Sequence, residues 1–144
     1  MEQPNAKHKD LTEQIIKAFY TAYNILGYGF LEKVYENAMA IELGKLGLTV
    51  VQQAPIMVNY AGQAIGHYQA DLLVADAVLV ELKAARALGA DNEAQLLNYL
   101  KATPYEVGLL LNFGPKPEIK RKTYDNWRKG SLTWWHESRT VTEE

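Results

Sequence analysis

Two apolar segments of strand-forming residues meet around Asp76, and three ionisable side chains interrupt them. Asp71 opens the first segment, and Glu81 and Lys83 lie inside the second, where Val and Leu otherwise dominate. A strand that is covered on both faces is normally apolar throughout. Residues 71–83 are therefore predicted to form a β-hairpin whose charged groups serve something other than core packing.

The two-residue period of a strand determines which side chains share a face. Glu81 and Lys83 lie on one face of their strand, and the alternating Val and Leu residues lie on the other. If residues 75–77 form the turn, Asp71 lies opposite Glu81, whereas a two-residue turn would place it opposite Leu82. The three-residue turn brings two carboxylates to about 5 Å at Cβ beside an ammonium group. This arrangement resembles a divalent-metal site, and the alternative is a structural ion-pair cluster.

Two amphipathic helices are predicted before the first strand. Asp10 is expected to cap the first helix, which ends at Gly27, and the second stops at Gly47. Apolar residues recur at helical spacing in both segments. Glu32 and Glu36 fall at the margin of the apolar stripe of the second helix, where a glutamate is usually a solvated rim residue.

After Gly47 the sequence changes to a strand period, and the short connections favour an antiparallel meander packed by the two helices on one face. A third helix, Glu93–Ala102, and a nearly all-apolar strand, Val107–Phe113, follow as a crossover requires. A last strand is expected at Leu132–His136. The fold class is therefore α+β, with the core order αβββαβ preceded by one more helix. The other predicted strands are residues 48–51, 56–60, 63–75 and 77–84.

Length and composition fit a single domain over residues 1–144. Residues 1–10 form a polar N-terminal segment, and residues 137–144 are expected to form a flexible tail. The chain has no cysteine and no apolar segment long enough to cross a membrane. We therefore expect a cytoplasmic protein without a membrane partner.

The net charge of −2 does not predict affinity for a polyanion, so a nucleic-acid-binding surface would have to be a local basic patch. Residues 116–129 contain six basic residues against two acidic ones. This cluster is either such a surface or an ordinary solvated face. No glycine-rich phosphate loop precedes a helix, so chemistry driven by a nucleoside triphosphate has no support.

The spacing of Asp71, Glu81 and Lys83 resembles the D-x9-E-x-K signature of the PD-(D/E)XK nuclease superfamily. The core order αβββαβ of that superfamily agrees with the predicted elements. Ala70 stands where the superfamily name implies proline, a position that varies widely among these nucleases.

Further motifs occur in the order that this resemblance requires. Gly29, Glu32 and Tyr35 resemble the motif that names the GxxExxY proteins, a bacterial and archaeal branch of the superfamily. Gln95 and Tyr99 are similar to the Q-x-x-x-Y element of RecB-like nucleases. The closing segment of GxxExxY proteins is similar to residues 111–114 and to Lys120 and Arg121.

The resemblance implies a metal-dependent nuclease whose catalytic residues are Glu32, Asp71, Glu81 and Lys83. Phosphodiester hydrolysis calls for a hard cation with oxygen ligands, so Mg²⁺ is expected, with Mn²⁺ as a substitute. Asp71, Glu81 and the backbone carbonyl of Leu82 would bind it, and Glu32 would reach it directly or through water. Lys83 would orient the attacking water and offset negative charge.

Gln95, Tyr99, Lys120 and Arg121 are expected to support this site or to contact substrate. The expected partner is nucleic acid, DNA rather than RNA, and the oligomeric state is left open. The alternative function is a catalytically silent module on the same fold that binds nucleic acid or another protein.

Overall fold

A computed structural model describes residues 7–130 of the chain. The predicted strand at Leu132–His136, the predicted tail at 137–144 and the first six residues of the polar N-terminal segment lie outside the described residues. Within residues 7–130 no helix is long and apolar enough to cross a membrane. The helices and strands, in chain order, are α1 (Lys9–Leu26), α2 (Glu32–Lys45), β1 (Val50–Tyr60), β2 (Gln63–Val74), β3 (Val78–Lys83), α3 (Ala90–Lys101), β4 (Val107–Phe113) and β5 (Pro117–Thr123).

The five strands form one mixed sheet in the order β1-β2-β3-β4-β5. Neighbouring strands are antiparallel except β3 and β4, which are parallel because α3 carries the chain back between them. Every residue of β4 is buried, as its apolar sequence predicts for a strand covered on both faces. The predicted α+β class is therefore confirmed.

Helices cover both faces of the sheet and give it two apolar cores. α1 and α2 pack on one face, where Phe19, Tyr35 and Phe113 are fully buried. The rings of Tyr35 and Phe113 stack at 4.1 Å between centroids. α3 packs on the other face, where Leu96 and Leu100 contact Leu79 and its neighbours. The side chains of β3 that point away from α1 and α2 therefore point towards α3.

The turn between β2 and β3 has three residues, as predicted. Val74 pairs with Val78, and Leu72 pairs with Val80, so residues 75–77 form the turn. Ala75 and Asp76 adopt positive φ angles of 53° and 50°, a conformation that few residues other than glycine favour. The register required for Asp71 to face Glu81 is therefore confirmed.

Several element boundaries differ from the predicted ones. β1 is one continuous strand over Val50–Tyr60, because Pro55 lies on an edge strand, where the missing N–H costs little. β5, the basic segment Pro117–Thr123, was not predicted as a strand. α1 begins at Lys9 with His8 as its N-cap, so Asp10 lies in its first turn. α3 begins at Ala90, three residues earlier than expected.

Candidate active site

The carboxylates of Asp71 and Glu81 lie between β2 and β3, where the backbone pairing of the two strands stops. The last backbone pair before them is Leu72 with Val80. Beyond it, the backbone N–H of Asp71 donates to Oε1 of Glu81 at 2.9 Å, and the N–H of Leu82 donates to Oδ2 of Asp71 at 2.7 Å. Each carboxylate therefore bonds to the main chain of the opposite strand, and the two acids occupy one site.

Burial makes both acids reluctant to ionise, and a neighbouring carboxylate adds to this effect at each: Asp71 at Glu81, and Glu36 at Asp71. Glu81 is only 5% exposed, and this burial, followed by the charge of Asp71, raises the pKa of Glu81 to about 8. Burial likewise raises the pKa of the half-buried Asp71. In the absence of a cation the pair therefore holds a proton near neutral pH, and a positive charge placed between the acids would release it.

Lys83 follows on the same face of β3, two residues after Glu81. Its positive charge lowers the pKa of both Asp71 and Glu81, although burial outweighs it at each acid. The chain after Lys83 is anchored by the buried Asn112, whose side chain accepts from the N–H of Ala85 at 2.9 Å and donates to its carbonyl at 3.0 Å. The backbone just after Lys83 is therefore anchored by two hydrogen bonds.

Glu32 is the first residue of α2 and is exposed. Its negative charge adds to burial and to Asp71 in raising the pKa of Glu81, so α2 directs a third carboxylate towards the pair. The alternative for Glu32, an ion pair with Lys33 or Lys45, is not adopted: these lysines pair with two other glutamates of α2, Glu36 and Glu42 respectively.

Gln95 and Tyr99 lie one turn apart on α3, on the side of the sheet that Glu81 faces. Tyr99 is 6% exposed, and burial, followed by the charges of Glu81 and Asp71, raises the pKa of its hydroxyl. Gln95 lines the cavity that continues past Tyr99. The structure therefore brings Tyr99 close to the carboxylates. Gln95 lies one turn earlier on the same helix.

Lys120 and Arg121 are separated by the alternation of β5. Lys120 pairs with Leu110, which pairs with Glu81, so the three residues lie in one row across the sheet. Arg121 points to the opposite face, where its guanidinium donates to Thr12 Oγ1 at 3.0 Å and to the carbonyl of Lys7. Lys120 is exposed on the face of the carboxylates, whereas Arg121 fastens the start of α1 to β5.

Comparison with known protein families gives a match that covers most of the chain. Residues 9–122 match the model of the PD-(D/E)XK nuclease superfamily, and they contain all eight residues singled out above. This chain belongs to the PD-(D/E)XK nuclease superfamily. Members of the superfamily generally depend on a divalent metal ion, and membership suggests a nucleic-acid substrate. No curated protein matches the chain.

Two solved structures are similar to this chain. The crystal structure of SSO0001 has a TM-score of 0.50 and 14% sequence identity, over 93% of this chain and 67% of that chain. The crystal structure of an alkaline exonuclease (LHK-Exo) from Laribacter hongkongensis has a TM-score of 0.42 and 14% identity, over 77% and 64% of the two chains. This nuclease-superfamily chain thus spans about two thirds of the length of each.

The donor set of this PD-(D/E)XK chain fits a hard cation that keeps much of its water. Among residues 7–130, no three carboxylate or imidazole groups are gathered closely enough to hold an ion by themselves. Asp71 and Glu81 instead form a close pair. Two carboxylates with bound water are the usual protein share of a Mg²⁺ site.

Sequence patterns alone missed a second polar link to this superfamily site. Glu36 is 3% exposed and is bound by Lys33, by Gln52 at 2.7 Å and by Gln53 at 2.6 Å. Although burial opposes it, these partners keep the pKa of Glu36 below its ordinary value. Gln53 also donates to Asp71 at 3.4 Å, so it connects the α2 glutamate to the carboxylate pair. The position of Glu36, one turn after Glu32, was the available signal.

Proposed function

We propose that this protein is a metal-dependent nuclease that hydrolyses phosphodiester bonds, in DNA rather than RNA. One observation carries the proposal: the half-buried Asp71 and the buried Glu81 share one site at the end of a strand pair, with the charge of Lys83 acting on both. A structural ion-pair cluster would not require two acids to share one largely dehydrated site, because that arrangement is costly without a cation.

In this proposal, Asp71, Glu81 and the backbone carbonyl of Leu82 bind Mg²⁺, and Glu32 reaches it directly or through water. Mn²⁺ is expected to substitute. When bound, the ion neutralises charge on the phosphate and lowers the pKa of a water molecule. Lys83 orients the attacking water and stabilises the negative charge that develops on the phosphate.

The surrounding residues take supporting roles. Tyr99 and Gln95 border the path of the substrate on the α3 side, and Lys120 contacts a backbone phosphate from the same row of the sheet as Glu81. Arg121 supports the site from the opposite face by holding the N-terminus of α1. These roles follow from the faces on which the side chains lie.

We further propose that the chain is a GxxExxY protein with a RecB-like Q-x-x-x-Y element, acting in the bacterial or archaeal cytoplasm as a single nuclease-like domain. The contacts of the motif support this assignment. Gly29 has a φ of 126°, which favours glycine, and Glu32 begins α2. The Tyr35 hydroxyl donates to the carbonyl of Gly27 at 2.6 Å and accepts from the N–H of Phe30 at 3.1 Å.

The test is cleavage of labelled single-stranded and double-stranded DNA and of RNA by the purified protein with Mg²⁺ or Mn²⁺. Lys83→Ala and Glu81→Gln are expected to lower the rate about 100-fold or more, as the loss of a positioned acid, base or charge does. Lys116→Ala is the matched control, since Lys116 is an exposed lysine in the turn before β5. Cleavage that survives both site substitutions would contradict the proposal.

The catalytically silent module gives a different result in the same assay. It predicts salt-dependent binding of nucleic acid without metal-dependent cleavage, weakened by Lys120→Ala. Binding of that kind by a wild-type protein that cleaves nothing would replace the nuclease proposal.

A further inference from the structure

A cavity of about 530 Å³ lies between α3 and the outer half of the β1–β2 hairpin, and it begins where Tyr99 borders the carboxylate pair. Its volume is within the range of sites that bind small organic groups. Neither the family match nor the motifs account for its hairpin wall. Its wall includes Ile56, Val58 and Tyr68 of the hairpin and Gln95, Asn98 and Tyr99 of α3.

Two aromatic rings form part of the wall. The centroids of Tyr68 and Tyr99 are 5.9 Å apart, with 40° between the ring planes. A Cβ atom at Gly66 would lie 3.0 Å from the Tyr68 ring, so the ring lies closely over this glycine. Tyr68 is nevertheless 50% exposed. A planar group that enters the cavity can therefore contact an aromatic surface that the strand already supports.

The polar groups of the cavity have free hydrogen-bonding capacity. Within the described part of the chain, the side-chain amides of Gln95 and Asn98 make no hydrogen bond. Each amide presents a donor and an acceptor side by side, which matches the edge of a nucleobase. Lys101 and Asp91, also in the wall, add one charge of each sign, and Lys101 lies 5.4 Å from the ring of Tyr124.

We propose that this cavity binds an unpaired nucleobase of a single strand whose backbone passes the carboxylate pair. The inference rests on the proposed nuclease function and specifies its substrate as single-stranded or locally unpaired nucleic acid. A base in a duplex would first have to leave its stack and its pair, which costs a few kcal/mol. A purely apolar ligand fits less well, because it would bury the two amides without partners.

The test compares Tyr68→Leu with Tyr60→Leu in a Lys83→Ala background with Mg²⁺, where the strand is expected to stay intact. Tyr60 is the matched control, because it is a 72% exposed tyrosine of the same hairpin and does not line the cavity. Fluorescence anisotropy gives the affinity for a labelled single strand of about 12 nucleotides and for its duplex. Tyr68→Leu should weaken single-strand binding about 10-fold, as loss of one stacked base does, and leave the duplex unchanged.

A second variant examines the amide wall without changing the aromatic one. Asn98→Leu should reduce the differences in affinity among the four homopolymeric strands, because the edge of the bound base loses a hydrogen-bonding partner. The inference is overturned if Tyr68→Leu behaves like Tyr60→Leu, if both nucleic-acid forms lose affinity equally, or if the protein binds no single strand. None of these results affects the cleavage test with Glu81→Gln, so the two proposals fail separately.

Discussion

At the scale of the residue, Glu81 is unusual because it is a buried carboxyl group in an otherwise apolar part of a strand. Its neighbours in β3 are apolar and buried, and its own carboxyl group accepts one backbone N–H from Asp71. One such bond does not replace the hydration of a carboxylate. Glu81 therefore destabilises the metal-free protein. Such a cost is expected of a group that serves binding or catalysis rather than packing.

We predict that Glu81→Gln stabilises the metal-free protein at pH 9 by up to about 5 kcal/mol. Glutamine keeps the shape and the acceptor oxygen for the Asp71 N–H but cannot ionise. The size follows from a pKa of about 8 in the folded state against an ordinary value of 4.5, at about 1.4 kcal/mol per unit. Urea denaturation in EDTA measures it.

The pH dependence of wild-type stability follows from the same shift. Between pH 4.5 and about 8, the folded state keeps a proton on Glu81 that the unfolded chain has lost, so this group makes stability fall as pH rises. The variant should lose that slope. Glu93→Gln is the control, because Glu93 forms a surface ion pair with Lys122 that holds its pKa below its ordinary value. A slope equal in wild type and Glu81→Gln would contradict the prediction.

At the scale of the element, the Tyr35 hydroxyl bridges two backbone groups of the loop between α1 and α2. We predict that Tyr35→Phe costs about 1–3 kcal/mol of stability, because the Gly27 carbonyl and the Phe30 N–H lose their shared partner. Nuclease activity should fall further than stability explains, since Glu32 begins the next helix. Thermal denaturation and cleavage rates at a temperature where both proteins are folded measure the two effects.

Tyr20→Phe is the control for that variant. Tyr20 belongs to α1, is 39% exposed, and its hydroxyl makes no hydrogen bond within residues 7–130. It should change neither stability nor activity. If Tyr35→Phe loses stability but cleaves as fast as wild type, the loop does not position Glu32.

The turn between β4 and β5 packs against the segment that follows Lys83. We predict that Gly114→Ala costs about 1–3 kcal/mol, because a Cβ atom there would overlap the backbone carbonyl of Ala85. Gly44→Ala is the matched control, since its Cβ would enter open space on α2 and should stabilise by about 0.5 kcal/mol. Chemical denaturation of both variants measures the difference, and equal stabilities would contradict it.

The sequence predicted those elements whose pattern is local. The hairpin register followed from the two-residue period and an odd turn, and α1 and α2 followed from helical spacing. β5 was missed because its residues are mostly charged, and it pairs with β4 through backbone bonds that side-chain patterns do not reveal. β1 was divided because Pro55 and two glutamines interrupt its apolar pattern, although an edge strand tolerates them.

The same limit applies to the candidate site. Asp71, Glu81 and Lys83 were predictable because one hairpin contains them. The polar chain from Glu36 through Gln53 to Asp71 was not, because it joins a helix, an edge strand and the hairpin across tertiary contacts. A glutamate at the margin of the apolar stripe of a helix is normally solvated. Only the structure shows that Gln52 and Gln53 donate hydrogen bonds to the Glu36 carboxylate.

At the scale of the whole molecule, the sheet brings polar groups of four strands to one region. Asp71 on β2 contacts Gln53 on β1 and Glu81 on β3, and Lys120 on β5 lies in the same row two strands further on. The helices on the two faces approach this row from opposite sides, with Glu32 on α2 and Tyr99 on α3. The site therefore depends on the complete sheet, and ligand binding should be linked to global stability.

We predict that Mg²⁺ or Mn²⁺ stabilises the wild-type protein by about 1.4 kcal/mol when the free ion is at ten times its Kd. Both acids must be ionised to bind the ion, so a proton leaves Glu81 and the affinity should rise between pH 6 and pH 8. Asp71→Asn should abolish the stabilisation. Asp76→Asn should keep it, because Asp76 lies in the exposed turn and bonds Tyr105. Thermal denaturation across a metal titration measures these effects. Equal metal-induced shifts of the melting temperature in the two variants would show that the ion does not bind at Asp71 and Glu81.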